Sequence, residues 1–264
     1  MVYYCFLLIA LLMLFPKSSY SQYYNWNDII DLNISVTNDD RIDLYTDRDG
    51  NHVIVQKSNQ LVYYLFSATG SQIRSSVRDN NVSEDPRLSK ITGYQGKIYI
   101  VYKEGDYIKT QFSTDAGVNW STGISEIELS DNTVNGLELS ANADGLHLVY
   151  AEYSDDDSDF ETFYRRVPHN DNEWTDIKQV TDETGVTGGF PSVTTSPNRI
   201  HITFTSGNTT NPANNRGVSK TRDRDDGVWE SSQQIYGDAA RSMVAATSGK
   251  LNGFYYKYDS PSGL

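Results

Sequence analysis

The chain has 264 residues, with 35 Asp+Glu against 22 Lys+Arg for a formal charge of -13, and 38% hydrophobic and 12% aromatic residues. That length and composition give one large domain or two small ones with enough apolar side chains for a packed core, which excludes a largely disordered chain. The acid excess and the lack of a basic stripe argue against nucleic acid and anionic membrane surfaces as partners, because binding phosphates needs cations that release counterions.

From the N-terminus, Cys5 to Phe15 is a short apolar run (CFLLIALLMLF), followed by Pro16, Lys17 and small residues up to Gln22. It reads as a secretory signal peptide, residues 1–21, with cleavage after Ser21. The expectation is a secreted, periplasmic or cell-surface protein that is not held in the membrane once the leader is removed. Cys5 is the chain's single cysteine, so the mature protein has no disulfide and no cysteine metal site.

The remainder is governed by a repeat. A polar turn followed by an alternating strand occurs at Asp49 to Val55, Gln95 to Tyr102, Asp144 to Tyr150, Pro197 to Phe204 and Ser248 to Tyr256. Equivalent positions are His52, Tyr99, His147, His201 and Asn252, spaced by ~50 residues, the length of one four-stranded propeller blade. Inner strands precede these turns at Arg41–Tyr45, Arg87–Thr92, Leu137–Ala141, Pro191–Thr195 and Ser242–Thr247. Third strands follow at Leu61–Phe66, Tyr107–Phe112, Glu161–Val167 and Gly217–Thr221. Weaker fourth strands fall at Ile73–Val77, Ile124–Leu129, Asp176–Val180 and Ser231–Ile235. No stretch sustains a helical period. The predicted fold is all-β, a propeller over residues 22–264 with about five four-stranded blades near 41–78, 87–129, 136–180, 190–235 and 241–264, the last incomplete.

The turn Ser113-Thr114-Asp115-Ala116-Gly117-Val118-Asn119-Trp120 is the most specific signal. Its Asp carboxylate can accept backbone N–H groups across the turn, Gly supplies a backbone angle that other residues resist, and Trp plugs the space beside adjacent strands. Trp174 and Trp229 close two later turns at the repeat interval without the rest of the pattern. The Ser-x-Asp-x-Gly-x-x-Trp pattern resembles the Asp-box, or BNR repeat, of the sialidase (neuraminidase) superfamily. The strand openings Asp85-Pro86-Arg87-Leu88 and Gly189-Phe190-Pro191-Ser192-Val193 also look like blade openings of bacterial BNR-repeat proteins. The resemblance covers roughly residues 40 to 258. It implies a sialidase-like propeller in which Ser113, Asp115, Gly117 and Trp120 are structural, on the outer rim of a blade.

A sialidase site further requires an arginine triad for the substrate carboxylate, a Tyr nucleophile paired with a Glu, and an Asp acid/base. The second strands instead end in Val55-Gln56, Tyr102-Lys103, Ala151-Glu152, Phe204-Thr205 and Tyr256-Lys257, none of them with Arg, and Glu152 is expected to repel a carboxylate. No catalytic residue is assigned. Arg87 and Arg241, with Tyr255 and Tyr256, are the candidate ligand-binding residues at the central channel, although surface or inter-blade ion pairs are the simpler reading of the arginines. The fifth blade shows an inner and a second strand before Ser260–Leu264, so the expectation is a fragment of a larger ring.

His52, His147 and His201 share one repeat position a blade apart, which points to equivalent packing contacts and no metal site. Asp155, Asp157 and Asp159 alternate as calcium-loop ligands do, but Phe160 stands where an EF-hand loop needs Gly, so a solvated acidic loop is the simpler reading; calcium is the one cofactor left open. Most of the 19 Tyr and 4 Trp are expected in inter-blade packing. The favoured function is a secreted, sialidase-like BNR-repeat propeller that binds a glycan or a cell-surface protein. The alternative is an exo-sialidase or related glycoside hydrolase whose remaining catalytic residues lie beyond Leu264.

Overall fold

In a computed structural model, the residues described are 32–257 apart from 38–39, 84, 86–87, 155–158, 176, 182–186, 197–198, 209–210, 224–227, 232, 238 and 248–249. For 187, 208, 211–217, 223, 235–237, 239–247 and 250–257 only the backbone is described. The apolar leader 1–21, Arg87, Asp155 and Asp157 therefore lie outside the described residues.

The strands form five antiparallel sheets in chain order. The first holds β1 (Arg41–Asp47), β2 (Gly50–Lys57), β3 (Gln60–Phe66) and β4 (Gln72–Asp79), and the second β5 (Ser89–Tyr94), β6 (Lys97–Glu104), β7 (Tyr107–Ser113) and β8 (Ile127–Glu128). The third holds β9 (Val134–Asn142), β10 (Gly145–Ser154), β11 (Asp159–Val167) and β12 (Lys178–Gln179). The fourth holds β13 (Thr187–Thr195), β14 (Arg199–Asn208), β15 (Asn211–Asp223) and β16 (Gln233–Gly237), and the fifth pairs β17 (Ala239–Thr247) with β18 (Lys250–Lys257). In each of the first four sheets every strand pairs with its neighbour in sequence, and the inner strands β1, β5, β9, β13 and β17 contact one another consecutively. Among the described residues this is a β-propeller with four four-stranded blades and a two-stranded fifth sheet.

The register makes the repeat literal. Tyr45 pairs His52, Thr92 pairs Tyr99, Ser140 pairs His147, Thr194 pairs His201 and Ala245 pairs Asn252. Gly50 opens β2 at φ 138°, and a Cβ there would stand 2.2 Å from the Phe66 carbonyl oxygen, so the Asp-Gly turn excludes any larger residue. The fourth strands are short in the second and third blades, two residues each.

Packing follows one rule: the face of each blade that looks toward the next closes on that blade's opposite face. Ile54, Leu61, Tyr63 and Leu65 of blade one meet Ile91, Ile98, Ile100 and Tyr102 of blade two. Tyr99, Val101 and Ile108 then meet Leu137, Leu139, Leu146, Leu148 and Tyr150 of blade three. Val149 and Tyr164 meet Val193, Ile200, Ile202 and Phe204 of blade four. Second strands are buried on both faces, which is why they read as near-continuous apolar runs such as IYIVY (98–102). On the remaining face of blade one, Leu32 and Ile34 cover Val53, Val55 and Phe66, while Ile42, Leu44, Ile73 and Val77 stay about half exposed (53%, 57%, 54% and 47%).

The three repeat histidines make packing contacts of one kind. His52 Nδ1 lies 2.7 Å from the Tyr63 hydroxyl and Nε2 2.9 Å from Asp47 Oδ1. His147 repeats this with Tyr164 at 2.8 Å and Asn142 Oδ1 at 3.0 Å. His201 keeps a weaker version, Nδ1 to Thr221 Oγ1 at 3.2 Å.

Candidate functional site

The inner strands bring together three charged side chains that lie far apart in sequence. Asp43 pairs Ile54, Lys90 pairs Val101 and Glu138 pairs Val149, so all three occupy one register position on the neighbouring strands β1, β5 and β9. Ser192, paired with Thr203, holds the same position on β13. Lys90 Nζ sits 3.0 Å from Glu138 Oε2, and both side chains keep about a quarter of their surface exposed. Asp43 Oδ2 accepts the Ile91 N–H at 2.8 Å, and Glu138 Oε1 accepts the Leu139 N–H at 3.2 Å.

The electrostatics follow from burial and the mutual charges. Burial opposes the Lys90 ammonium, but Glu138 and Asp43 outweigh it, and the Lys90 pKa rises above its ordinary value. Burial also raises the Glu138 carboxyl, with Asp43 adding to that and Lys90 opposing it. The cluster thus pairs one fixed cation with two carboxylates whose remaining lone pairs can accept hydrogen bonds from hydroxyl groups. Below it, Ser140 Oγ and Thr195 Oγ1 lie 2.9 Å apart across β9 and β13.

Sequence reasoning passed over this cluster. Its signal was available: Asp43, Lys90 and Glu138 stand at one offset ahead of His52, Tyr99 and His147, so they fill one column of the repeat. Of the residues named from sequence, Arg241 pairs Tyr256 and Tyr255 pairs Ser242 across β17 and β18. The side chains of Arg241, Tyr255 and Tyr256 lie outside the described part of the structure. Arg87 lies outside the described residues.

The ends of β2, β6 and β10 serve the chain itself. Gln56 donates to the Ser58 and Ser83 carbonyls and accepts from the Ser89 hydroxyl. Lys103 donates to the Gly105 carbonyl at 2.6 Å and to Asn132 Oδ1. Glu152 was expected to repel a ligand carboxylate; it is 2% exposed and accepts the Asp131 N–H at 2.8 Å, so it ties down the connection into β9. Each of these buried polar groups satisfies backbone that would otherwise lack partners. Of the acidic run, Asp159 is described; it is buried, and its Oδ1 accepts the Phe160 N–H at 2.8 Å.

The turn between β7 and β8 is closed by its own side chains. Ser113 Oγ donates to Asp115 Oδ1 at 2.8 Å and accepts the Gly117 N–H at 2.9 Å. Asp115 also accepts the Asn119 backbone N–H at 2.8 Å and its carboxamide at 2.7 Å. Those donors, the Asn119 backbone first, pull the exposed Asp115 carboxyl down to about 2. Trp120 Nε1 donates to the Gly117 carbonyl at 3.1 Å, and its ring stands edge-on to Tyr63 of the preceding blade at 5.0 Å. Trp229 meets Tyr164 in the same way at 5.4 Å. The Nε1 atoms of Trp174 and Trp229 are buried with no hydrogen-bond partner among the described residues. Beside the Ser113–Trp120 turn runs a groove of about 340 Å³ lined by Arg48, Asp49, Gln95, Lys97 and Asp115, among others. It lies at the turn ends of the sheets, whereas the charged cluster sits part-way along the inner strands.

Fold and register define a β-propeller with a charged inner-strand cluster, and solved structures share that architecture. The chain is similar to a Penicillium chrysogenum alpha-L-arabinanase complexed with arabinobiose (TM-score 0.58, 14% identity, 81% of this chain and 72% of that one). It is also similar to the GH93 alpha-L-arabinofuranosidase of Fusarium graminearum with arabinobiose (TM-score 0.55, 15% identity, 75% and 66%). A third is the subtype N10 neuraminidase-like protein of A/little yellow-shouldered bat/Guatemala (TM-score 0.51, 12% identity, 74% and 58%). The chain thus spans less than two thirds of the neuraminidase-like protein and about two thirds of the arabinofuranosidase. No described protein family matches the chain, and no curated protein matches its sequence.

Proposed function

We propose that this chain is an exported, sialidase-like propeller that binds a glycan, free or carried on a cell-surface protein, through the inner-strand cluster Asp43, Lys90 and Glu138. The observation that carries this reading is the convergence of three charged, part-exposed side chains on one register position of three neighbouring strands. Carboxylates and an ammonium held on rigid strands suit recognition of several sugar hydroxyls at once. Two neighbours in fold are complexes with arabinobiose, which makes that disaccharide the first probe. The Ser113–Trp120 turn is read as an Asp-box, a structural clasp between blades, and residues 1–21 as the export signal.

The test is calorimetric titration of the mature chain, starting at Gln22, with arabinobiose and a panel of neutral disaccharides. Saturable binding weakened at least about tenfold by Lys90→Ala or Asp43→Asn supports the reading, since a charge-assisted hydrogen bond contributes roughly 1.5–3 kcal/mol. Unchanged binding in both variants would move the site elsewhere. N-terminal sequencing of the exported protein tests the cleavage after Ser21.

A glycoside hydrolase is the second reading because the cluster holds two carboxylates, one of them, Glu138, with its carboxyl raised by burial. Release of reducing sugar that Glu138→Gln abolishes while binding persists would replace the binding-only reading.

A further inference from the structure

We infer that the inner-strand cluster selects an uncharged sugar and turns away carboxylated ones, because its ammonium is already committed to a carboxylate. This rests on the glycan reading above. Capturing a sugar carboxylate takes a cation whose donors are unspent, ideally a guanidinium fork. Among the described residues, Lys90 is the cation at this register level of the inner strands, and its Nζ is held 3.0 Å from Glu138 Oε2.

Asp43, at the same level on β1, acts on both partners: its charge helps hold the proton on Lys90 and raises the Glu138 carboxyl. The formal sum over the three groups is one excess negative charge. Asp43 and Glu138 each use one oxygen on a backbone N–H, from Ile91 and Leu139, which fixes both carboxylates in place. Asp43 and Glu138 stay part-exposed as side chains, and the lone pairs they have left present acceptors to an incoming ligand. Sugar hydroxyls satisfy acceptors, whereas an incoming carboxylate brings further acceptors and a like charge into a half-buried site where water screens poorly. Arg41, nearer the start of β1, is exposed and donates to the Asp40 carbonyl, and ionic strength shortens the reach of an exposed charge.

The pair also suggests how the selectivity can be reversed. Glu138→Gln keeps the side-chain shape and removes the charge that occupies Lys90, so the ammonium becomes available to an acidic ligand. The experiment compares galactobiose with digalacturonate, which differ in their carboxylates, against the wild-type chain and the variant at low salt. We expect the wild type to bind the neutral disaccharide at least about tenfold more tightly, and Glu138→Gln to lose or invert that preference. Asp43→Asn, which removes charge from the same cluster by another route, should move the ratio in the same direction.

Equal or tighter binding of digalacturonate by the wild type overturns the inference and leaves the glycan reading standing. Binding of neither digalacturonate nor any neutral disaccharide, arabinobiose included, overturns both. A preference unchanged in Glu138→Gln and Asp43→Asn, with both variants folded by circular dichroism, also refutes the charge argument. Should a variant fail to fold, the wild-type ratio alone decides.

Discussion

His147 makes the third and fourth blades acid-sensitive in a way that can be measured. Its ring is fully buried, and its two nitrogens have fixed partners: Asn142 Oδ1 at 3.0 Å and the Tyr164 hydroxyl at 2.8 Å. Asn142 Oδ1 also accepts the Asp144 N–H at 2.8 Å, which identifies that atom as the oxygen. The imidazole proton therefore resides on Nε2, and Nδ1 accepts from Tyr164. A second proton on Nδ1 would turn that hydrogen bond around and place a charge in the core. Burial accordingly lowers the His147 pKa from 6.5 to about 3, with Arg166, Arg222 and His169 adding to the effect and Asp144 opposing it.

Between these values the unfolded chain binds a proton that the folded chain refuses, so stability falls as pH falls. The contribution is fully present above pH ~6.5 and is lost at about 1.4 kcal/mol per pH unit on the way to about 3. At pH ~4.5 the loss is about 3 kcal/mol. His147→Gln removes the titration while keeping a polar, neutral side chain. Urea denaturation followed by tryptophan fluorescence at pH values from ~7.5 to ~4.5 should show the variant less stable by about 1–2 kcal/mol at the upper end. Its stability should also fall less steeply with acid, by about one proton. His201, whose pKa burial also lowers, contributes to both proteins and cancels in the comparison. If both proteins lose stability equally between pH ~6.5 and ~4.5, the argument from the buried neutral imidazole is wrong.

The Ser113–Trp120 turn yields three further expectations. Gly117→Ala should destabilise by about 2 kcal/mol or more, read by urea denaturation, because φ is 78° there and a Cβ would stand 2.4 Å from the buried Tyr63 ring. Trp120→Phe should lower stability about 1 kcal/mol more than Trp174→Phe, since Trp120 donates to the Gly117 carbonyl while Trp174 Nε1 has no partner among the described residues. Asp115→Ala should lower the melting temperature and speed amide exchange at Gly117 and Asn119. The carboxylate's stabilising effect is present above its ordinary pKa of 3.8 and is lost as pH falls toward about 2, so wild type and variant should converge in strong acid.

The strand plan was legible in the sequence because β2, β6, β10 and β14 are buried on both faces and begin at polar turns, a combination that repeats unmistakably even at low similarity between copies. The histidine column was legible for the same reason: His52 and His147 sit at one register position and bond the tyrosines Tyr63 and Tyr164, themselves equivalent across β3 and β11. The extent of β15 was not legible. It runs from Asn211, whereas the sequence suggested a start at Gly217, because Asn211-Pro212-Ala213-Asn214-Asn215 has turn chemistry that pairing with β14 overrides.

The candidate site was missed because attention to arginines asks which residues could serve a known chemistry, and the cluster answers a different question. A charged residue inside a short strand looks like an exposed alternation, and Asp43, Lys90 and Glu138 each fit that pattern singly. Their common offset from His52, Tyr99 and His147 places them in one column of the repeat, and the pairing of β1, β5 and β9 with their second strands puts them at one level, where each neighbour changes what the others can do. Lys90 beside Asp43 alone would be a cation with one counter-charge; beside Glu138 as well, it becomes the centre of a group with excess negative charge. The chemistry of the inner strands therefore belongs to the column and not to any one of its residues. On the proposed glycan reading, a single-site substitution is expected to change ligand preference before it changes whether the blades fold, since none of the three side chains belongs to the apolar clusters between the blades.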